Sequence, residues 1–225
     1  MLRKILIGVA AVLVVLVLVV ALRPATFHLE RSGLVAAPPE VTFAQVNDFH
    51  AWAAWSPWAK IDPAMKTVFT GPANGIGSVY YWNGEKTGEG RMTLEKSEQP
   101  KTIGIKLEFL KPFTAVNQTT FAFAAVPEGT KVTWSMDGEN NFMAKAMSLF
   151  MDMDKMVGPD FEKGLASLAV VAKADQDARV KAAAEAKAKA DADAAAAKAK
   201  AKADEEAAAA AKAAEAAAKK GKKKK

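Results

Sequence analysis

Apolar residues recur at steps of three or four between residues 141 and 168, which is the spacing of one face of an α-helix. The stripe consists of Phe142, Ala146, Phe150, Met153, Val157, Phe161, Leu165 and Leu168. It predicts the main helix of the fold. Because proline interrupts helical hydrogen bonding, Pro159 predicts a break or kink at Gly158. The predicted inner face of this helix is also rich in methionine (Met143, Met147, Met151, Met153, Met156).

Seven short runs rich in β-branched and aromatic residues precede this helix, at 27–36, 67–70, 77–82, 90–95, 102–109, 117–125 and 131–136. Pro38-Pro39-Glu40 opens a short helix after the first run, and a second short helix covers 49–55. Alternation in the last two runs places Phe121, Phe123, Val132, Trp134 and Met136 on inward faces. The pattern predicts an α+β fold, with an antiparallel sheet closed by the long helix.

Residues 5–22 form an uncharged apolar segment of eighteen residues, flanked by Arg3 and Lys4 on one side and Arg23 on the other. At about 1.5 Å per residue it nearly crosses the ~30 Å hydrocarbon layer, so we predict a single transmembrane anchor. A cleaved signal peptide is the alternative. The small excess of positive charge at the amino end favours a cytoplasmic amino terminus, with the domain on the periplasmic side of the inner membrane.

The positive charge is concentrated in the tail. From residue 171 onward there are 15 Lys and Arg against 9 Asp and Glu, whereas residues 1–170 contain 16 of each. No specific nucleic-acid partner is therefore expected for the folded part. Ala accounts for 27 of the 55 tail residues, which favours a solvated helix or a disordered spacer. The Lys-rich end, 219–225, would be a soluble tail or a contact for anionic lipid or polymer.

Residues 26–170 resemble the SRPBCC (START-like, polyketide cyclase-like) superfamily, and in particular a bacterial subgroup that often carries an amino-terminal membrane helix. The resemblance lies in these motifs: Trp52-x-x-Trp55-Ser56-Pro57-Trp58 with Asp62-Pro63, Gly77-x-x-x-x-Trp82, Leu107-Glu108-Phe109-x-Lys111-Pro112, Thr130-x-Val132-Thr133-Trp134-x-Met136-x-Gly138, and Met153-Asp154-Lys155-Met156-x-Gly158-x-Asp160-Phe161-Glu162-x-Gly164-Leu165. It implies a helix-grip fold, a curved sheet of about seven strands wrapped on a long C-terminal helix. The expected organisation is 1–4 cytoplasmic, 5–22 anchor, 23–170 helix-grip domain and 171–225 tail.

The resemblance also implies a cavity between sheet and helix that takes lipids, polyketides or other apolar molecules. The residues that we expect to line it are Trp55, Trp58, Trp82, Phe109, Phe121, Trp134, Met147, Phe150 and Met151. For the cluster of Trp52, Trp55 and Trp58, a core position is the alternative. For the methionine row, the alternatives are helix core and a soft-metal site. With no Cys and two His, we expect neither a metal centre nor a cofactor.

No catalytic constellation stands out, so we assign no catalytic residue and leave enzymatic activity open. Glu89, Arg91, Glu95 and Glu108 lie on predicted strands, where a solvated sheet face explains them and a buried carboxylate is the alternative. We predict membrane-anchored binding of a hydrophobic or lipid-like small molecule. The alternatives are a cyclase or dehydratase that uses one buried carboxylate, and a structural tether that acts through its basic tail.

Overall fold

A computed structural model describes the backbone of residues 1–222 and the side chains of residues 1–214. Seven antiparallel strands form one sheet, in the order β1-β7-β6-β5-β4-β3-β2. Their bounds are Thr26–Val35 (β1), Lys66–Thr70 (β2), Val79–Gly84 (β3), Gly88–Glu98 (β4), Thr102–Lys111 (β5), Ala115–Val126 (β6) and Gly129–Glu139 (β7). The predicted α+β helix-grip fold is confirmed.

The helices are α1 (Leu2–Ala21), α2 (Pro39–Asn47), α3 (Trp52–Trp55), α4 (Phe142–Met147) and α5 (Met153–Lys222), with short 3₁₀ helices at Phe49–Ala51 and Pro57–Lys60. The chain forms two compact units, divided after Gln176. The second unit is helical over residues 177–222, and its described side chains, 177–214, are all exposed. The side chains of the Lys-rich end, 219–225, lie outside the described residues.

Within the first unit, α5 packs against the inner face of β1 and β7. The Phe161 ring stacks on the Trp134 ring with centroids 4.0 Å apart and planes 12° from parallel. Gly164 has no side chain, and a Cβ there would approach the Trp134 ring to 2.7 Å. Leu165 lies over Gly33 of β1. The absence of side chains at these two glycines thus lets the helix approach the sheet closely enough to bury Phe161, Leu165 and Leu168.

A charged clamp joins the first turns of α5 to β1. The Arg31 guanidinium donates to both carboxylate oxygens of Asp154 at 2.8 and 2.9 Å, and to Glu162 at 2.8 Å. Gly158 lies beneath the guanidinium, where a Cβ would overlap it. The hydrogen bonds from Arg31 lower the pKa of the Asp154 carboxyl below its usual value. The clamp therefore fixes both ends of the α5 segment that contains Pro159.

Of the break or kink predicted at Gly158, the break is wrong. Residues 153–222 form one helix through Pro159, and the interruption lies at residues 148–152, between α4 and α5. Asp152 supplies the physical reason, because its carboxylate accepts a hydrogen bond from the Asp154 N–H at 3.1 Å and caps a new helix there. Pro159 removes a single backbone hydrogen bond, while Arg31 pairs with residues on both sides of it.

The predicted inner stripe is correct only from Val157 onward. Phe161, Leu165 and Leu168 are buried, whereas Phe142, Phe150 and Met153 are exposed. Met143 and Met156, which we also expected on the inner face, are exposed as well. Helical periodicity reports that one face is apolar and does not report what covers that face.

Among the described residues, α1 is the one helix that is long and apolar enough to cross a membrane, with a mean hydropathy of 3.0. All of its side chains are exposed except that of Val20 near its end. A signal sequence would satisfy the same criteria.

We predict that Gly164→Ala destabilises the domain. Helix propensity alone would stabilise an Ala at this position by about 0.5–1 kcal/mol, but overlap with the buried Trp134 ring should reverse the sign and cost roughly 1–3 kcal/mol. The measurement is denaturant unfolding of the detergent-solubilised chain, followed by tryptophan fluorescence. Gly8→Ala is the control, because nothing lies within 4 Å of the added methyl group. The cost of Gly164→Ala should shrink in a Trp134→Phe background, and an equal cost in both backgrounds would contradict the packing argument.

The Arg31 clamp predicts a pH-dependent ordering of α5. Because the pKa of Asp154 is lowered in the folded state, its contribution is fully present above the ordinary Asp pKa of about 3.9 and is lost as the pH falls through the folded value. At neutral pH, Asp154→Asn should speed amide hydrogen exchange in the first turns of α5. The difference from the wild type should vanish in acid. Lys187→Met, which breaks a distant surface pair with Asp191, should leave these amides unchanged, and a difference that persists in acid would refute the assignment.

Candidate functional site: a concave apolar patch on β3, β4 and β5

Five apolar residues come together on the inner face of β3, β4 and β5, which β6 separates from the strands under α5. Strand register pairs Tyr80 with Met92, Met92 with Leu107, and Gly90 with both Trp82 and Phe109. Because paired residues share a face and alternate residues return to it, these side chains lie on the same face as the buried core. We call this set the concave patch: Tyr80, Trp82, Met92, Leu107 and Phe109.

Aromatic contacts hold the concave patch together. The Tyr80 and Trp82 rings stack with centroids 6.0 Å apart, and the Phe109 ring meets Trp82 edge to face at 6.0 Å. Gly90 lies under the Trp82 ring, where a Cβ would overlap it. The Trp82 indole N–H donates to the Thr87 carbonyl oxygen at 3.3 Å. Trp82 is thus fixed in position and forms the floor of the patch.

The concave patch is only partly covered. Trp82 is buried, but the other four side chains are half-buried. On the same face of β1 and β7, by contrast, Leu29, Val35, Val132 and Trp134 are buried. The difference follows from the placement of α5, which packs on β1 and β7. Apolar surface on β3–β5 therefore remains accessible.

Few polar groups face this interior. Asn117 pairs with Leu107 across the strands, is buried, and donates to the Met136 sulfur at 3.7 Å. The indole N–H of Trp134 is buried without an acceptor among the described residues. Burial raises the pKa of the Tyr80 hydroxyl, so this group stays protonated and can donate a hydrogen bond. An apolar surface with a few polar groups at its border is typical of a small-molecule site.

The structure divides the nine predicted cavity residues into three groups. Trp55, Phe121 and Trp134 are buried in one aromatic cluster, with ring centroids 4.7–6.1 Å apart, and the half-buried Trp58 packs on Trp134 at 5.6 Å. The Trp55 indole N–H also donates to the Gln45 carbonyl oxygen at 3.1 Å. These contacts correspond to the core position that the sequence left as an alternative.

Trp82 and Phe109 form the second group and belong to the concave patch. Tyr80, Met92 and Leu107 also belong to the patch but were not among the predicted residues. Tyr80 and Leu107 could have been found from the sequence, because they stand two residues before Trp82 and Phe109 on the same strand faces, whereas Met92 required the strand register. The third group, Met147, Phe150 and Met151, lies exposed on α4 and the turn after it, beside the end of α1. Ligand contact by any of the nine stays a prediction.

The strand carboxylates lie on the opposite, convex face. Arg91 pairs with Glu108 at 2.7 Å, and Lys106 with the same carboxylate at 3.2 Å. Burial raises the pKa of Glu108, but the hydrogen bonds from Arg91 and Lys106 outweigh it and lower the pKa below its usual value. Glu89 accepts a hydrogen bond from the Tyr81 hydroxyl at 2.8 Å. The described residues contain no group of three or more His, Cys, Asp or Glu that could hold a metal ion.

Two cavities open elsewhere on the domain. One of about 120 Å³ lies between the Phe49–Ala51 helix and β2, lined by Phe49, His50 and Phe69 among others. The other, of about 310 Å³, lies at the end of β3, beside Asp62, Lys66 and Asn83. Asp62 is buried there and accepts a hydrogen bond from the Lys86 N–H at 3.0 Å.

Solved structures share this fold at low sequence identity. An uncharacterized protein from Rhizobium leguminosarum matches with 16% identity and a TM-score of 0.50, over 68% of this chain and 98% of its own. The di-domain ARO/CYC BexL from the BE-7585A biosynthetic pathway matches with 15% identity and a TM-score of 0.50, over 68% of this chain and 52% of its own. The Aha1 dimer from Colwellia psychrerythraea matches with 15% identity and a TM-score of 0.46, over 63% and 92%.

No curated protein matches the sequence. A family model described as "Polyketide cyclase / dehydrase and lipid transport" matches residues 26–173, which is most of the chain and coincides with the strands and the packed part of α5. The expected resemblance to SRPBCC proteins is confirmed. The chain belongs to the polyketide cyclase / dehydrase and lipid transport family of the SRPBCC superfamily.

Proposed function

We propose that this protein is a membrane-anchored domain that binds a hydrophobic or lipid-like small molecule on its concave patch. The observation that supports the proposal is the half-buried apolar surface of Tyr80, Met92, Leu107 and Phe109, on the inner face of a helix-grip fold. Membership of a family described by lipid transport supports the same ligand class.

The chemistry of the patch favours a ligand with a long apolar part. Burying apolar surface gains about 25 cal/mol per Å², and four half-buried side chains around the Trp82 ring offer such surface. Met92 is flexible and polarizable, so the patch can adapt to ligands of different shape. The polar end of an amphipathic ligand would find the amide of Asn117 at the border of the patch.

The anchor in this proposal is α1. Its apolar length suits a bilayer, and the exposure of its side chains suits contact with lipid rather than with a protein core. We infer a cytoplasmic amino terminus and a domain on the far side of the inner membrane, from Arg3 and Lys4. A tail that acts as a tether, or a basic end that binds anionic lipid or polymer, would be an additional role.

The cyclase alternative requires an acid or base that faces the ligand. Glu108 and Arg91 pair with each other on the convex face, and the low pKa of Glu108 keeps it ionised. A raised carboxyl pKa in an apolar pocket is the usual requirement for a carboxyl that acts as a general acid. The geometry therefore favours binding over acid–base chemistry at this patch.

If the concave patch binds a ligand, a charged side chain introduced there should prevent the ligand from co-purifying with the protein. Native mass spectrometry of the full chain should detect a bound apolar molecule, and Leu107→Asp should abolish it because an aspartate would remain unpaired in that environment. Val68→Asp is the matched control, since Val68 is exposed on β2 and pairs with Tyr81 on the convex face. A ligand that survives Leu107→Asp, or an empty wild-type protein after gentle extraction, would contradict the proposal.

Anchoring predicts that the mature protein keeps residues 1–22. Its intact mass should include them, and the protein should stay with membranes after alkaline carbonate extraction. Replacing Val14 and Leu16 with Asp should release the protein into the soluble fraction, because each charge at the helix centre costs about 2.5–3.5 kcal/mol. A mature mass that begins after residue 22 would show that α1 is a cleaved signal sequence.

A further inference from the structure

The carboxyl end of α1 is fixed to α4. The Arg23 side chain donates from Nε to the Ser148 hydroxyl at 3.1 Å and from Nη2 to the Ser148 carbonyl oxygen at 3.0 Å. The Lys145 ammonium group donates to the Ala21 carbonyl oxygen at 3.5 Å. Val20 is buried at this junction. The domain is therefore held in a defined orientation relative to α1.

The strand register shows what else lies at this end of the sheet. Thr26, which follows α1 directly, pairs with Glu139, the last residue of β7 before α4. The start of β6 and the end of β5, with the turn between them, lie at the same edge. We call this the α1 edge of the sheet. Leu34, near the other end of β1, lies about 25 Å from it at roughly 3.3 Å per residue.

Large apolar side chains protrude at the α1 edge from two separate elements. On α4 and the turn after it, Phe150 is 88% exposed, and Phe142, Met143, Met147 and Met151 are exposed around it. On the turn between β5 and β6, Phe113 is 69% exposed, next to the exposed Leu110 and Val116. Apolar surface of this kind in contact with water is unfavourable and marks an interaction site.

The short segment between α1 and β1 limits how far this surface can lie from α1. Only four residues, 22–25, separate α1 from β1, so Thr26, at the α1 edge, lies within about 18 Å of the end of α1 even if the chain between them is fully extended. If α1 spans a bilayer, α4 must lie at the bilayer surface, because it contacts α1 directly. The basic Arg23 and Lys145 lie at the same junction, where they would meet lipid phosphates.

We propose that the α1 edge rests in the interfacial layer of the bilayer that α1 spans, with Phe150 and Phe113 inserted among the lipid headgroups. The proposal rests on the anchoring role given to α1 above. It has a consequence for the ligand, because Trp82 and Phe109 lie at the end of the concave patch nearest this edge. The patch then opens towards the membrane, and a lipid-like molecule reaches it without a long path through water.

The absence of cysteine from the chain makes single-site labelling direct. Phe150→Cys and Phe113→Cys, each in the full chain, are labelled with an environment-sensitive fluorophore and reconstituted into vesicles of phosphatidylcholine and phosphatidylglycerol. The quencher for positions 34, 113 and 150 is phosphatidylcholine brominated near the headgroup, and the quencher for position 13, which lies near the middle of α1, is phosphatidylcholine brominated near the ends of its acyl chains. Leu34→Cys is the matched control, 54% exposed but at the opposite edge, and Leu13→Cys reports on α1 itself.

We expect quenching at positions 113 and 150 to exceed that at position 34 by roughly twofold or more, with a blue-shifted emission, since an interfacial side chain lies within reach of the bromines. Equal quenching at the three positions, with Leu13→Cys strongly quenched, would overturn the proposal and leave the anchor intact. If the label on Leu13→Cys is not quenched, α1 does not lie in the bilayer and the anchoring role is refuted. A further control measures energy transfer between labels on two copies of the Phe150→Cys variant. If this transfer persists when the protein is diluted with lipid, and the bromines do not quench the label, the surface contacts a second copy of the chain and the proposal is overturned.

Discussion

The domain depends on the contact between α5 and one tryptophan of β7. Trp134 stacks on Phe161 at 4.0 Å and packs against Trp55 and Trp58, so the long helix, the sheet and the small helices all meet at this ring. Aromatic pairs of this kind add about 0.5–1.5 kcal/mol each beyond the area that they bury. The contact exists only because Gly164 has no side chain to separate the helix from the ring.

The position of that contact also determines where the site is. Because α5 is drawn onto β1 and β7, it covers one half of the concave face, and the aromatic cluster around Trp134 fills the space beneath it. On the other half, Leu94, Ile103 and Ile105 are buried, but the four side chains around Trp82 on β3 to β5 remain half-buried. In the proposed function, the packed part of this sheet face holds the fold, and the half-buried part around Trp82 takes the ligand. A charge introduced at Leu107 would therefore test binding, whereas a change at Trp134 would test the fold.

The sequence was sufficient for the fold and for part of the site. Alternation in β6 and β7 correctly placed Phe121 and Trp134 inward, and the helical stripe correctly identified Phe161, Leu165 and Leu168. Trp82 and Phe109 were identified by their motifs. Met92 could not be, because its place on this face depends on a strand register with bulges in β4 on both sides of it. Aromatic residues that pack a core and those that line a cavity also look the same in sequence, since both are large, apolar and on inward positions.

The same period of 3.6 residues describes an apolar face that the core buries and one that stays exposed, and Phe142, Phe150 and Met153 belong to the second kind. Arg31 marks the transition between the two. It pairs with Asp154 at the start of α5 and with Glu162 two turns later, so the helix is fixed on β1 from its first turn. The residues before Asp154 cannot follow α5 across the sheet, and α4 instead projects at the α1 edge, where Arg23 bonds to Ser148. In the proposal made above, the bilayer that α1 spans is what covers the apolar side chains of α4.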